Sequence, residues 1–585
     1  MSIDQTPPDD QTRNETQTSS RRQFIKMSAG AGAVLGAAGL GVNNVASAEV
    51  DVNAEALQVI DTDEADVGTG IDSRRRAAKA LRKKIKASRQ HFLETRDASE
   101  QEINNDEQRY QYERYYASYS KTLPCNQFGE VDPQAFESLQ RALQTGAATD
   151  FNNIPLDSTA SRRLTNPQGA FRFEIAGLDS HATRINPAWT FRSADLAGEM
   201  VEVYWQALTR DVPFSEYSSS TSIQQAITDL NLLSATPGSV ANGSTSVANI
   251  FRGETVGDLN GPQISQFLWQ GFDYGPSQIE QRYDVGLAGV DFMVDEANWL
   301  NVQRGGTPNE GLGFDSTPRY IYNNRALSEY VHRDVLFQAY LNAAFVMLGY
   351  GPDAIATGNP YKQSHNQDGF TSLGGPFILD MVTKAGNTAL AGAWFQKWRV
   401  HRFLRPEVLA GRVHFHQTNQ REYELHSDLL NSAAVNEVFS LHGTGFCPQA
   451  YTEGSPTHPS FPAGHATIAG CCATILKACF NEDFVIQNPV VADATGDNLL
   501  PYIGSDLTLG GEINKLANNI SIGRDAAGVH YRQDGVQGMA AGEQLAIGLL
   551  QDHSRTIHES DFFGFTLTRF DGRVLNINDG DVTEV

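Results

Sequence analysis

SPTHPSFPAGHATIAGCCATILKACF, residues 455–480, runs from a proline-broken polar segment straight into an apolar stretch of helical period. Pro462 and Gly464 mark the boundary, the proline by restraining the chain and the glycine by letting backbone come close to whatever sits at the first helical turn. The first amides of a helix lack intrahelical acceptors and lie at the positive end of its dipole, so this start is an anion site with His465 beside it. Cys471, Cys472 and Cys479 fall inside the apolar run, where they read as small buried hydrophobes. By itself a histidine at a helix start is more often a cap or a satisfied surface residue.

Runs of the same period recur at 195–210, 324–349, 378–404, 507–523 and 535–550, while alternating strand patterns are scarce. The expected fold is therefore mainly α. Segments 218–222 and 234–249 are rich in Gly, Ser, Asn and Pro and read as surface loops, and the basic helical stretch 73–93 reads as a solvated face. With 585 residues, 40% hydrophobic and 19% charged, the chain has ample material for a buried site and is too apolar for a disordered protein. Its net charge of -24 repels phosphate backbones and anionic lipid, which argues against nucleic acid as a partner.

The first fifty residues stand apart. Ser20-Arg21-Arg22-Gln23-Phe24-Ile25-Lys26, an Ala/Gly-rich apolar stretch over 27–42 and Ala46-Ser47-Ala48 read as a twin-arginine export signal cleaved after Ala48. The stretch is too short and too weakly apolar for a membrane span, so no stable membrane insertion is expected. A periplasmic or extracellular location follows. The five cysteines match no zinc or redox spacing and leave at least one thiol free or intermolecular.

Two further segments bring cations and histidines together. In Lys397-Trp-Arg-Val-His-Arg-Phe-Leu-Arg405-Pro406, eight helical positions amount to about 80° of rotation, which would place Lys397 and Arg405 on neighbouring parts of one face. In Gly523-Arg524-Asp-Ala-Ala-Gly528-Val-His530-Tyr-Arg-Gln-Asp534, joint action of Arg524 and His530 requires a break in the helix, which Gly528 supplies. Arg524 offers an oxyanion a fork of donors, and His530 offers its central atom a neutral nitrogen. Each segment alone is weak. Together, a Lys, two Arg, a Gly backbone N–H and two His compose a site for a tetrahedral oxyanion.

Lys397…Arg405-Pro406, Pro462-Ala-Gly464-His465 and Arg524-x5-His530-x3-Asp534 resemble the signature shared by vanadium-dependent haloperoxidases and the type 2 phosphatidic acid phosphatases. The Lys-to-Arg spacing and His458, seven positions before His465, are most similar to the algal-type bromoperoxidases, and segments 116–133, 199–214 and 330–334 agree. The resemblance implies a helical-bundle fold with two four-helix-bundle-like cores, long loops and few short strands. It implies an N-terminal helical region over 49–320 and a C-terminal vanadate-binding core over 321–585, following the export signal at 1–48.

It further implies that Lys397, Arg405, Gly464 and Arg524 hold vanadate oxygens, that His530 is the axial ligand of vanadium, and that His465 is the acid–base residue. Asp334 is implied as a partner of one arginine, and Trp394 and His458 as bordering the halide approach. The implied activity is oxidation of bromide or iodide by hydrogen peroxide to hypohalous acid, which halogenates small organic acceptors, in a homo-oligomer. Chloride, harder to oxidise, is expected to be poor. One departure is Ala463, where the family usually has Ser. An exported acid phosphatase is the alternative, disfavoured by the length of chain upstream; a non-catalytic oxyanion-binding protein is a third reading, disfavoured because the other six residues are all present. His401, His414 and His416 read as structural rather than as a metal site.

Overall fold

The computed structural model describes residues 73–94, 101–238 and 244–585. Within them Ala80–Val585 belong to one compact unit, which carries all the elements of the site. The proposed export signal lies outside the described residues. Helices dominate: those that build the site are α1 (Ala194–Leu208), α2 (Asn324–Arg333), α3 (Gln338–Gly349), α4 (Gly375–Trp394), α5 (Pro406–Gln417), α6 (Gly464–Cys479), α7 (Leu509–Ala526) and α8 (Arg532–Ser554). The described strands form three small antiparallel sheets, two hairpins of three-residue strands and a three-stranded meander over Phe565–Glu584. Among the described residues no helix is long and apolar enough to cross a membrane.

α6 is the central element. It is buried along almost its whole length and packs against α4, α7 and α8. The crossing with α8 depends on small residues, because a Cβ at Gly542 would lie 2.1 Å from the Thr467 carbonyl oxygen. All five cysteines are reduced; Cys447, Cys471, Cys472 and Cys479 are buried, so the thiols act as core packing and give no support to a bridge between subunits. Two large apolar clusters fill the interior. Phe461 and Tyr531 belong to one and Ala463 and Met539 to the other, so the segments leading into α6 and α8 pass along their seam.

Three expectations need correction. The run 324–349 is two helices, because Asp334 takes an extended backbone (φ -62°, ψ 149°) that closes α2. The run 378–404 is α4 followed by a π-helix at Phe395–His401, after which Arg402 turns left-handed (φ 41°). Arg405 then caps α5 from an extended conformation, so it shares no helix with Lys397 and the helical-wheel argument for that pair fails. The segment 218–222 is only partly a loop, since Thr221 opens a helix over Thr221–Leu230 that Ser220 caps.

Candidate active site

The π-helical widening drops Lys397 into the interior, where its Nζ donates to the carbonyls of Pro459 (2.7 Å) and Ser460 (2.6 Å). Such one-turn widenings are common where a helix must aim a side chain at a site. The loop after Arg402 returns the chain so that Arg405, fully buried, meets the same segment from the other side. Its guanidinium donates to the His458 carbonyl (3.0 Å), to the Val529 carbonyl (2.8 Å), to His458 Nδ1 (3.0 Å) and to His530 Nε2 (2.9 Å). An arginine only donates, so both imidazole nitrogens facing it carry lone pairs.

α7 ends at Ala526, Gly528 adopts φ 85°, and α8 begins at Arg532, which places His530 in the break expected between Arg524 and Asp534. His530 Nδ1 lies 2.7 Å from Asp534 Oδ2, an oxygen that also accepts the Ser460 hydroxyl (2.5 Å) and the Tyr531 amide (3.2 Å). That acceptor fixes the His530 tautomer with hydrogen on Nδ1 and a lone pair on Nε2, the lone pair that accepts from Arg405. Glu199 of α1 accepts the Gln533 amide (3.0 Å) and Glu202 pairs with Arg532, so two carboxylates of α1 clamp the first turn of α8.

Arg524 donates from Nη1 to the Val331 carbonyl at 2.8 Å, while its Nε is buried without an acceptor. Among the described residues Asp334 does not hydrogen-bond to an arginine, contrary to expectation. Closing α2 points it instead at His465, whose Nε2 lies 3.0 Å from Asp334 Oδ1. With Nε2 engaged there, Nδ1 is the nitrogen of His465 that can exchange protons with the site. At α6 the N-cap is Ala463, which makes no side-chain cap, so no hydroxyl competes for the first amides. Trp394 packs against His458 with ring centroids 4.9 Å apart, and its indole N–H donates to the Thr165 carbonyl.

The electrostatics are those of an anion cradle. Burial, reinforced by Arg405, drives the Lys397 pKa well below its ordinary value, and burial lowers Arg405 to about 10 with Arg524 adding to the effect. His530 and His458 are also pushed down, by burial first and then by the neighbouring cations. Burial lifts the Asp534 carboxyl to about 6 while the Ser460 hydroxyl and Lys397 pull the other way. His401, His414 and His416 converge on nothing: His401 packs on Phe461, and the Nδ1 atoms of His414 and His416 accept the Gly445 and Tyr423 amides. No group of three or more His, Cys, Asp or Glu suited to a metal occurs among the described residues.

Sequence reasoning missed several contributors. Ser460 offered no periodic signal. Lys121, distant in sequence, binds Glu407 Oε1 (2.8 Å) and the Glu453 and Ser455 carbonyls (2.8 and 2.7 Å), anchoring the turn before His458. Asp534 was visible four positions after His530, although its hydrogen bond was not.

Residues 378–559 match the family model described as the VCPO second helical-bundle domain. The chain is 34% identical over 490 residues to a vanadium-dependent bromoperoxidase of Ascophyllum nodosum, covering 80% of this chain and 87% of that protein. It is 31% identical to one of Corallina officinalis, covering 79% and 91%. A solved structure described as the homohexameric second vanadate-dependent bromoperoxidase of Ascophyllum nodosum superposes with a TM-score of 0.83 at 27% identity, covering 91% of this chain and 96% of that one. With the Lys397, Arg405, Gly464, His465, Arg524 and His530 cradle in place, these likenesses make the chain a member of the vanadium-dependent bromoperoxidase family.

Proposed function

We propose a division of labour among these residues in a vanadate-dependent oxidation of halide by hydrogen peroxide. The observation that carries it is the set of buried cations Lys397, Arg405 and Arg524, whose hydrogen bonds go to carbonyls, imidazoles and a phenol and not to carboxylates. Asp534 offsets only part of this buried positive charge, and a multiply charged tetrahedral oxyanion removes the cost of the rest. Donors of this kind, with a helix start and an imidazole lone pair, fit vanadate: the three cations and the Gly464 N–H would hold its oxygens, and His530 Nε2 the metal. When bound, vanadate supplies a Lewis acid that activates peroxide toward halide.

His465 accepts and returns a proton through Nδ1 while Asp334 holds its ring. Trp394 and His458 border the path of the halide, bromide and iodide being good substrates and chloride poor. The hypohalous acid released halogenates small organic acceptors. The hexameric neighbour supports a homo-oligomer, and the Ser20–Lys26 and 27–48 segments support export by the twin-arginine route to the periplasm or beyond. Peroxide-driven bromination of a phenolic dye is expected to require added orthovanadate and to be inhibited by phosphate, which competes for the same cradle. Full activity after vanadate removal by dialysis against phosphate would overturn the reading.

A further inference from the structure

The Tyr330-Val-His-Arg-Asp334 segment that closes α2 delivers three contacts to the site, and Asp334 accounts for one. The Val331 carbonyl accepts Arg524 Nη1, and the same nitrogen lies 3.3 Å from the Tyr451 hydroxyl, which donates onward to the Ser328 carbonyl at 2.6 Å. The Arg524 guanidinium carbon stands 5.4 Å from the centroid of the Tyr451 ring. The third contact is His332, which stacks on Tyr451 with centroids 3.8 Å apart and 11° between planes.

His332 is held at both ends. Its Nδ1 lies 3.3 Å from Glu329 Oε2 and its Nε2 2.9 Å from Glu453 Oε1. An imidazole with a carboxylate at each nitrogen donates from both and is therefore charged. Burial works against that charge, but the hydrogen bonds to Glu329 and Glu453 outweigh it and raise the His332 pKa. Around the triad, Lys121 Nζ and Arg162 Nη1 both bind the Glu453 carbonyl, which fixes that end of the turn.

We propose that Glu329, His332 and Glu453 form a clamp that holds the Tyr451 ring, and that Tyr451 is a positioning residue for Arg524, keeping Nη1 engaged so that the buried Nε is presented to the oxyanion. This rests on the reading of Arg524 given above. A one-point anchor at Val331 leaves the guanidinium free to swing about that bond; the hydroxyl and ring of Tyr451 remove the freedom.

The test is orthovanadate binding to the full chain by calorimetry, in a cycle of Tyr451→Phe and Arg524→Lys. Tyr451→Phe is expected to weaken binding roughly fivefold, the scale of one hydrogen bond, and by less than twofold once Arg524 is Lys. Equal loss in both backgrounds overturns the clamp. No loss from Arg524→Lys itself instead overturns the assignment of Arg524, so the two failures are distinguishable. His332→Gln provides a second readout that does not depend on the folding of the tyrosine variant. A raised imidazole pKa means the cation is present at low pH and lost as pH climbs through the folded value. The ratio of wild-type to variant affinity is therefore expected to be largest at pH 6 and to converge toward one at higher pH. A ratio independent of pH, or equal to one throughout, overturns the proposal.

Discussion

The roles proposed for His530 and His465 differ, and the reason lies in which nitrogen of each its carboxylate partner engages. Asp534 Oδ2 takes the Nδ1 hydrogen of His530 and keeps on Nε2 a lone pair, accepting from Arg405, that a central atom would claim, whereas Asp334 takes Nε2 of His465 and would leave Nδ1 for proton exchange. His530→Ala is accordingly expected to lose orthovanadate binding and turnover together. His465→Ala should keep measurable binding and lose most of the rate. Equilibrium binding of orthovanadate beside steady-state bromination checks the pair, and equal loss of binding in both variants would refute the separation. These residues were legible in the sequence because their spacing survives without knowledge of the fold. Ser460 and Tyr451 were not, because their partners Asp534 and Arg524 lie 74 and 73 positions away and only the folded chain brings them together.

The same limit acts at the scale of elements. Period counting located α6, α7 and α8 to within a few residues, since each is long and buried, but it could not see that a helix widens at Phe395 or ends at Arg402. The convergence of Lys397 and Arg405 was read correctly for a wrong reason: a π-helix and a left-handed residue bring them together, not a shared helical face. The N-terminus of α6 raises a second point. Ala463 leaves that helix start uncapped, and Ala463→Ser would add a hydroxyl within reach of either its own amides or a bound oxygen. We expect orthovanadate to bind up to about tenfold more tightly, a single hydrogen bond being worth at most about 1.5 kcal/mol. A higher thermal midpoint with unchanged affinity would mean that the hydroxyl caps the helix instead. Against α6, Gly542→Ala should force α8 away from the Thr467 carbonyl and cost about 1–3 kcal/mol of stability. Chemical denaturation measures this, and a change below about 0.5 kcal/mol would show that the crossing tolerates a methyl group.

For the whole molecule, a net charge of -24 opposes the approach of anions, so affinity for an oxyanion arises locally, from buried cations that exceed the carboxylate beside them. The interior also stores proton-linked stability away from the cradle. His401 ends the π-helix, is buried, has no hydrogen-bond partner at Nε2 and meets the edge of Phe461 at 4.6 Å. Burial, with the Arg402 charge adding to it, lowers its pKa to about 3 from an ordinary value of 6.5. An unfolded chain takes up a proton on this ring below pH 6.5 and the fold does not until about pH 3. The stability it contributes is therefore complete above 6.5 and is lost as pH falls toward 3, at about 1.4 kcal/mol per pH unit. His401→Phe keeps an aromatic ring against Phe461 and removes the titrating nitrogen. Measured by denaturant unfolding at a series of pH values, the variant is expected to gain on the wild type by that slope between pH 6.5 and about 4, and to run parallel to it above 6.5. Parallel curves on the acid side as well would mean that His401 is protonated in the folded protein and that its burial opens before the chain unfolds.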